Sequence, residues 1–185
     1  MPKNPAESRL TGILALCLAE LMDELGAEPV WLSGWQPSDE SEEMIAAAVG
    51  FRGDKLCGSI VLAGQPRAFA RLYPFPTSIK SPDLADWARE MANQGVGRFR
   101  NRALAHGLTI YVGVPETVSS LGWRIAKTRK LIEIPMALGI GDMRLEALVE
   151  FGLGPDFELD NHPVTEKGPA LPEGSVVLFQ NEDSP

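Results

Sequence analysis

Residues 83–101 alternate between apolar and polar positions with the period of an α-helix. At about 100° of rotation per residue, one broad side of this helix collects Leu84, Trp87, Ala88, Met91, Ala92, Gly95 and Phe99. A second side, within an arc of roughly 80°, carries Asp86, Glu90, Asn93, Gly97 and Asn101. We call these five residues the polar stripe. The pattern predicts one amphipathic helix that buries the apolar side and exposes the polar stripe.

Glu90 and Asn93 are the pair in the polar stripe that carries candidate chemistry. They are three positions apart, so both side chains project from one surface of the helix. Gly97 follows one turn later, where a glycine costs a helix up to about 1 kcal/mol relative to alanine. Close approach of another backbone would explain that glycine. Exposed glutamate and asparagine are nevertheless common, so from the pattern alone an ordinary solvated face is the more frequent explanation.

Local signals mark the ends of the predicted central helix. Ser81 suits the N-cap, Pro82 the first helical position and Asp83 the positive end of the helix dipole. We therefore expect the central helix to start near Pro82 and to end around residues 106–107. An earlier apolar pattern predicts another long helix over residues 9–25.

Two apolar runs separated by a turn predict a β-hairpin. Residues 44–52 and 56–63 have the composition of strands, and Gly53 with Asp54 suits the tight turn between them. Gly58, inside the second run, indicates either a bulge or a close backbone contact.

The remaining segments have weaker patterns. Short helices are expected at residues 65–73 and 142–151. A turn is expected at residues 115–117, and extended segments are expected at residues 30–35, 108–114, 122–129 and 131–140. The basic residues Arg124, Lys127, Arg129 and Lys130 are either a recognition patch or the solvated face of a strand.

The composition changes after Gly152, where prolines and acidic residues become frequent. We therefore expect one domain over residues 1–151 and an extended or partly disordered extension over residues 152–185, in which residues 175–179 are a candidate edge strand. A length of 185 residues, with 44% hydrophobic and 23% charged residues, fits a globular chain with a real core.

Charge and cysteine usage exclude several classes of function. A net charge of −8 argues against a nucleic-acid partner held through phosphate contacts. Cys17 and Cys57 belong to no metal-binding or redox motif, which is typical of core cysteines in a reducing compartment. Residues 10–25 are too short and too charged for a signal peptide or a membrane span, so we expect a cytoplasmic protein with no membrane partner.

The sequence contains no motif that brings its own catalytic nucleophile, metal or phosphate loop. Gly95-Val96-Gly97 lies inside a predicted helix rather than between a strand and a helix, so it does not resemble a phosphate-binding loop. No serine-hydrolase elbow or zinc-protease motif occurs. If the chain is an enzyme, it must depend on few catalytic groups of its own.

The chain resembles the CheX branch of the CheC/CheX/FliY family of chemotaxis phosphatases. The family's hallmark helix has the pattern E-x-x-N-x-x-x-G, which stands here as Glu90-Met-Ala-Asn93-Gln-Gly-Val-Gly97. The hairpin also matches over residues 50–62, and the similarity covers about residues 10–151. The resemblance implies a single α/β (α+β) domain, in which a largely antiparallel β-sheet packs against two long helices.

The same resemblance implies a function. Members of the family remove the phosphate from the phospho-aspartate of a CheY-like receiver domain. Glu90 would pair with a lysine of the receiver and Asn93 would orient the attacking water, while Asp86, Gly97 and Asn101 would contact the partner. No cofactor is expected on this chain, since the Mg²⁺ belongs to the receiver. The alternative is a non-catalytic adaptor that uses the same fold to bind a receiver or a flagellar-switch component.

One departure from the wider family concerns the first predicted helix. CheC and FliY members carry two such motifs, whereas Glu20-Leu-Met-Asp23 here has the spacing but an aspartate in place of asparagine. An acid there would face phosphoryl oxygens of like charge, so we do not count it as a site. A single motif fits the CheX branch, whose members form homodimers. The resemblance therefore also implies a homodimer.

Overall fold

The computed structural model describes residues 5–26, 28–31, 43–74, 81–121, 131–140 and 143–159. Within these ranges, helices α1, α2 and α3 span Pro5–Glu24, Pro66–Arg71 and Ser81–Leu104. The strands are β1 (Glu28–Trp31), β2 (Glu43–Gly53), β3 (Leu56–Gly64), β4 (Tyr111–Val112), β5 (Glu116–Leu121), β6 (Ile132–Ile140) and β7 (Met143–Leu153). The predicted long helices, the hairpin and the short helix after it are confirmed.

The described strands form one antiparallel sheet of seven strands in the order β1-β6-β7-β3-β2-β4. Strands β4 and β5 pair with the same edge of the long strand β2. Strand β4 pairs with its C-terminal half and β5 with its N-terminal half. The β2–β3 hairpin closes with Gly53 opposite Leu56, as the two apolar runs predicted. The fold expected from the resemblance, an antiparallel sheet with two long helices, is confirmed.

Helices α1 and α3 cover one face of the sheet and enclose the core. Side chains alternate between the two faces of a strand, so the register aligns a layer of core residues on the three central strands: Ile45, Ala47, Val49 and Phe51 on β2, Ile60 and Leu62 on β3, and Leu145, Ala147, Val149 and Phe151 on β7. Full burial of a large apolar side chain of this kind contributes about 1.5–3 kcal/mol.

Gly58 lies at a close backbone contact, which is one of the two alternatives that the sequence left open. The ladder runs without interruption past Gly58, which lies opposite Phe51 on one side and Phe151 on the other. An added Cβ would lie 2.8 Å from the Cβ of Phe151 and would also clash with the carbonyl oxygen of Glu150. The glycine therefore lets β3 and β7 approach, without a bulge.

The expectation of a helix at residues 142–151 is wrong, because this segment is strand β7. Its leucines, alanine and glutamates are good helix formers. However, β7 lies between β3 and β6 and pairs with both along its length, and Leu145–Val149 are buried on consecutive positions. Pairing on both edges and burial of both faces override the local preference.

Two further expectations on the β4–β5 edge need correction. Of the strand expected at residues 108–114, only Tyr111–Val112 pairs with β2. The expected turn at residues 115–117 is wrong beyond Pro115, since Glu116 and Thr117 already pair with Ala48 and Ala47 of β2. A proline suits the position just before a strand because it lacks the N–H needed inside a ladder.

The core continues past the end of β7. Phe157 and Leu159 are buried against the same core as the helices, and Lys55 Nζ donates a hydrogen bond to the Asp156 carbonyl oxygen at 3.0 Å. The division of the chain at residue 151 stays a prediction.

The expected segments at residues 122–129 and 175–179, with the basic residues between 124 and 130, lie outside the described residues. Among the helices that the structure describes, none is long and apolar enough to cross a membrane.

Candidate functional site

Helix α3 is held in one orientation by its buried side. Met91, Ala92 and Phe99 are fully buried, and the ring of Phe99 lies 5.0 Å from that of Phe51, with 58° between the planes. On the same side, Gly95 lies beneath α1, where an added Cβ would be 3.4 Å from Leu18 Cδ2. The buried side predicted from the sequence is confirmed, and it orients the opposite side of α3 toward solvent.

The C-terminal end of α3 is closed by a Schellman motif. Gly107 has a φ of 75°, the left-handed conformation that glycine adopts without strain. The Leu108 N–H donates to the Ala103 carbonyl at 3.0 Å, and the Gly107 N–H donates to the Leu104 carbonyl at 3.0 Å. The helix end expected around residues 106–107 is therefore correct to within a few residues.

The polar stripe lies on the solvent side of α3. Asp86, Glu90, Asn93 and Asn101 are exposed, and the space above Gly97 is open, since an added Cβ would meet no atom within 4 Å. The exposure predicted for Glu90 and Asn93 is confirmed. Because a side chain at Gly97 would meet no described residue beyond its own helix, the glycine serves no packing within the described structure.

The side chains of the polar stripe differ in their existing partners. Gln94 Nε2 donates a hydrogen bond to Glu90 Oε1 at 2.9 Å, and Asp86 forms an ion pair with Arg89 inside the helix. For Asn93, the described part of the chain supplies no side-chain hydrogen-bond partner. Its carboxamide is thus available to another molecule, whereas one oxygen of Glu90 is already engaged.

Gln94 is the neighbour that the sequence analysis missed. The signal was available, because a glutamine four positions after a glutamate lies on the same helix surface and within hydrogen-bonding reach. The hydrogen bond restricts the Glu90 side chain to the ridge beside Asn93.

The look-alike motif in α1, Glu20-Leu-Met-Asp23, has its glutamate engaged in a contact between α1 and α3. Glu20 forms an ion pair with Arg102 of α3, and Glu24 pairs with Arg98. Asp23 is exposed. A carboxylate already paired with its own chain is poorly available to a partner, which supports leaving Glu20 out of the candidate site. The reason for leaving out Asp23 stays the like charge of its carboxylate and the phosphoryl oxygens.

The chemistry available to the polar stripe is hydrogen bonding and electrostatic contact. Among the described residues, no group of three or more histidine, cysteine, aspartate or glutamate side chains is placed to hold a metal ion. A cavity of about 490 Å³ lies elsewhere, on the sheet face away from the helices, and its lining includes Arg52, Ser59 and Glu150. The stripe can accept a hydrogen bond from a cation at Glu90 and orient a water molecule at Asn93.

Comparison with known proteins shows similarity in structure only. No family model and no curated protein sequence matches the chain. The CheX chemotaxis protein from Vibrio vulnificus superposes with a TM-score of 0.64 at 14% identity, covering 80% of this chain and 100% of that one. A CheC-like superfamily protein from Shewanella sp. PV-4 gives a TM-score of 0.61 at 16% identity, covering 77% of this chain and 97% of that one.

A chain from the CheX–CheY–BeF3–Mg²⁺ complex of Borrelia burgdorferi is also similar. It superposes with a TM-score of 0.54 at 12% identity, covering 79% of this chain and 97% of that one. At these identities the comparison establishes the fold. The chain has the fold of CheX and CheC-like chemotaxis proteins, as the resemblance in sequence implied.

Proposed function

From the fold shared with CheX and CheC-like chemotaxis proteins, we propose that this chain binds a phosphorylated CheY-like receiver domain and accelerates hydrolysis of its phospho-aspartate. The observation that carries the proposal is the state of Asn93. Its side chain is exposed and has no partner among the described side chains, and it lies on the helix surface one turn before the open position of Gly97.

In this proposal, the chain contributes position rather than a reactive group. The Asn93 carboxamide enters the active site of the receiver and holds the attacking water in line with the phosphoryl group. The receiver supplies the phospho-aspartate and the Mg²⁺. Holding a water in the reactive geometry converts a bimolecular step into an effectively unimolecular one, and phosphoryl transfer depends mainly on such positioning and on electrostatics.

Glu90 has a docking role in the same proposal. Gln94 engages Oε1, and the other carboxylate oxygen accepts a hydrogen bond from a lysine of the receiver. A contact between opposite charges favours encounter and correct orientation more than raw affinity. The open backbone at Gly97 lets the partner lie close to α3, and Asp86 and Asn101 border the contact. The complex of CheX with CheY from Borrelia burgdorferi supports the choice of partner. A cytoplasmic location and a homodimer remain predictions.

The test is the decay of a phosphorylated, Mg²⁺-loaded receiver with wild-type protein and with Asn93→Ala. We expect wild type to accelerate decay and the variant to lose about a hundredfold of that acceleration, as when a positioned donor is removed from an active site. Unfolding free energy should change by less than about 0.5 kcal/mol, because an exposed amide contributes little to stability.

Asp23→Ala is the matched control, since it removes an exposed polar side chain from the look-alike motif in α1. It should retain the wild-type rate. Receiver binding without any acceleration by wild type would favour the adaptor. Absence of binding to any receiver would refute both the phosphatase and the receiver-binding adaptor.

A further inference from the structure

We infer that Leu104, at the C-terminal end of α3, is an apolar anchor for the receiver. The receiver then presents apolar side chains about 16 Å from its phospho-aspartate, the rise along the helix from Asn93 to Leu104. The inference rests on the proposed function and adds a second point of contact to it. Leu104 is a large hydrophobic residue with 63% of its surface exposed. Single exposed leucines are ordinary on protein surfaces, so the argument depends on its position.

Leu104 lies on the line of the polar stripe. It follows Asp86 by eighteen residues, which is about five full turns, so the two side chains point in nearly the same direction. It follows Asn93 by eleven residues, a rise of about 16 Å along the helix. A partner surface of typical size, about 800 Å² per protein, extends roughly that far from its centre. An interface centred on Asn93 therefore reaches Leu104.

The fold itself does not need a leucine at this position. In a Schellman motif, the apolar contact is made by the residue after the glycine, here Leu108, which is partly buried against the core. To this motif Leu104 contributes its carbonyl, which accepts a hydrogen bond from the Gly107 N–H. An alanine or serine would supply the same carbonyl without exposing an apolar side chain to water.

This end of α3 is also tied to α1. Arg98 and Arg102 lie one turn apart on the side of α3 that faces α1, where they form ion pairs with Glu24 and Glu20. Between Asn93 and Leu104, the stripe carries Gly97 and the exposed Asn101, and the exposed Arg100 lies along its border. Leu104 thus ends a row of polar side chains with an exposed apolar one. An apolar side chain on a packed helix loses little conformational freedom on binding, which favours its use as an anchor.

The experiment measures the dissociation constant of a beryllofluoride- and Mg²⁺-loaded receiver, together with the decay of the phosphorylated receiver, for wild type and Leu104→Ser. We expect the dissociation constant and the half-saturating receiver concentration to rise about tenfold, equal to 1.4 kcal/mol, with an unchanged maximal rate. Val118→Ser is the matched control, because Val118 is 62% exposed but lies on the sheet face away from the helices. It should bind as wild type does.

The outcomes separate the inference from the function on which it rests. Wild-type activity with an unchanged dissociation constant for Leu104→Ser overturns the anchor and leaves the phosphatase standing. A fall in maximal rate with unchanged affinity also overturns the anchor. If Leu104→Ser instead converts a dimer to a monomer and receiver affinity is unchanged, the occupant is a second copy of this chain and the inference is wrong. Failure of wild type to bind any receiver refutes the proposed function and the anchor together.

Discussion

Gly97 allows a test in which stability and partner binding are expected to change in opposite directions. It lies in the interior of α3, where glycine is about 0.8–1 kcal/mol less favourable than alanine. An added Cβ meets nothing within 4 Å, so no steric cost offsets that gain. Gly97→Ala should therefore raise the unfolding free energy by about 1 kcal/mol, which corresponds to a rise of roughly 2–4 °C in Tm for a domain of this size.

A larger side chain at the same place should obstruct the partner. Gly97→Leu retains most of the gain in helix propensity, since leucine is nearly as favourable as alanine. It also fills the space through which the receiver approaches α3 in the proposed function. We expect unfolding in urea, followed by circular dichroism, to show a protein at least as stable as wild type. Receiver binding should weaken at least tenfold.

Gly95→Leu is the internal comparison, two positions earlier in the same helix. There an added Cβ already lies 3.4 Å from Leu18 and 3.6 Å from Leu21 of α1, and the rest of the side chain has no room. Overpacking of a core typically costs about 1–3 kcal/mol, so this variant should be less stable than wild type. Equal destabilisation by the two leucines would refute the open helix surface at Gly97. A stabilised Gly97→Leu with unchanged binding would refute the approach of the partner at this point.

Two further predictions concern buried groups on either side of the sheet. Glu146 is 8% exposed, and burial raises its pKa against the opposing effect of Arg144, whose Nη2 lies 2.9 Å from Oε1. Because the folded state holds this proton more tightly than the unfolded state, the cost of the buried charge appears as pH rises through the folded pKa. Glu146→Gln should thus stabilise the protein at neutral pH, because it removes the buried charge while Arg144, whose side chain is 46% exposed, stays solvated. The gain should vanish near pH 4, and equal gains in urea unfolding at both pH values would contradict this. Burial likewise raises the pKa of the Cys17 thiol to about 11. The expectation that Cys57 is also a core residue is wrong, since it is exposed near the start of β3. A thiol reagent at neutral pH should therefore label one cysteine quickly in native protein, none in native Cys57→Ser, and both after wild type unfolds.

Local signals account for the elements that the sequence predicted well. The period of the apolar residues in α3 identified both its buried side and its polar stripe, because both follow from the 3.6-residue turn. Gly53 and Asp54 between two apolar runs were enough for the β2–β3 hairpin. The candidate residues Glu90 and Asn93 were found because they share one helix surface. Their catalytic and docking roles remain predictions.

The errors and omissions have a common cause in contacts between distant residues. Residues 143–153 prefer a helix locally, and only pairing with β3 and β6 on both edges makes them a strand. The engagement of Glu20 by Arg102 depends on the way α1 packs against α3. The order of apolar and polar residues was enough to assign the side of α3 that faces water, because helical periodicity is a property of neighbouring residues. Among the described residues, Glu20 has Arg102 as a partner and the side chain of Asn93 has none, and this difference depends on which surfaces meet when the chain folds.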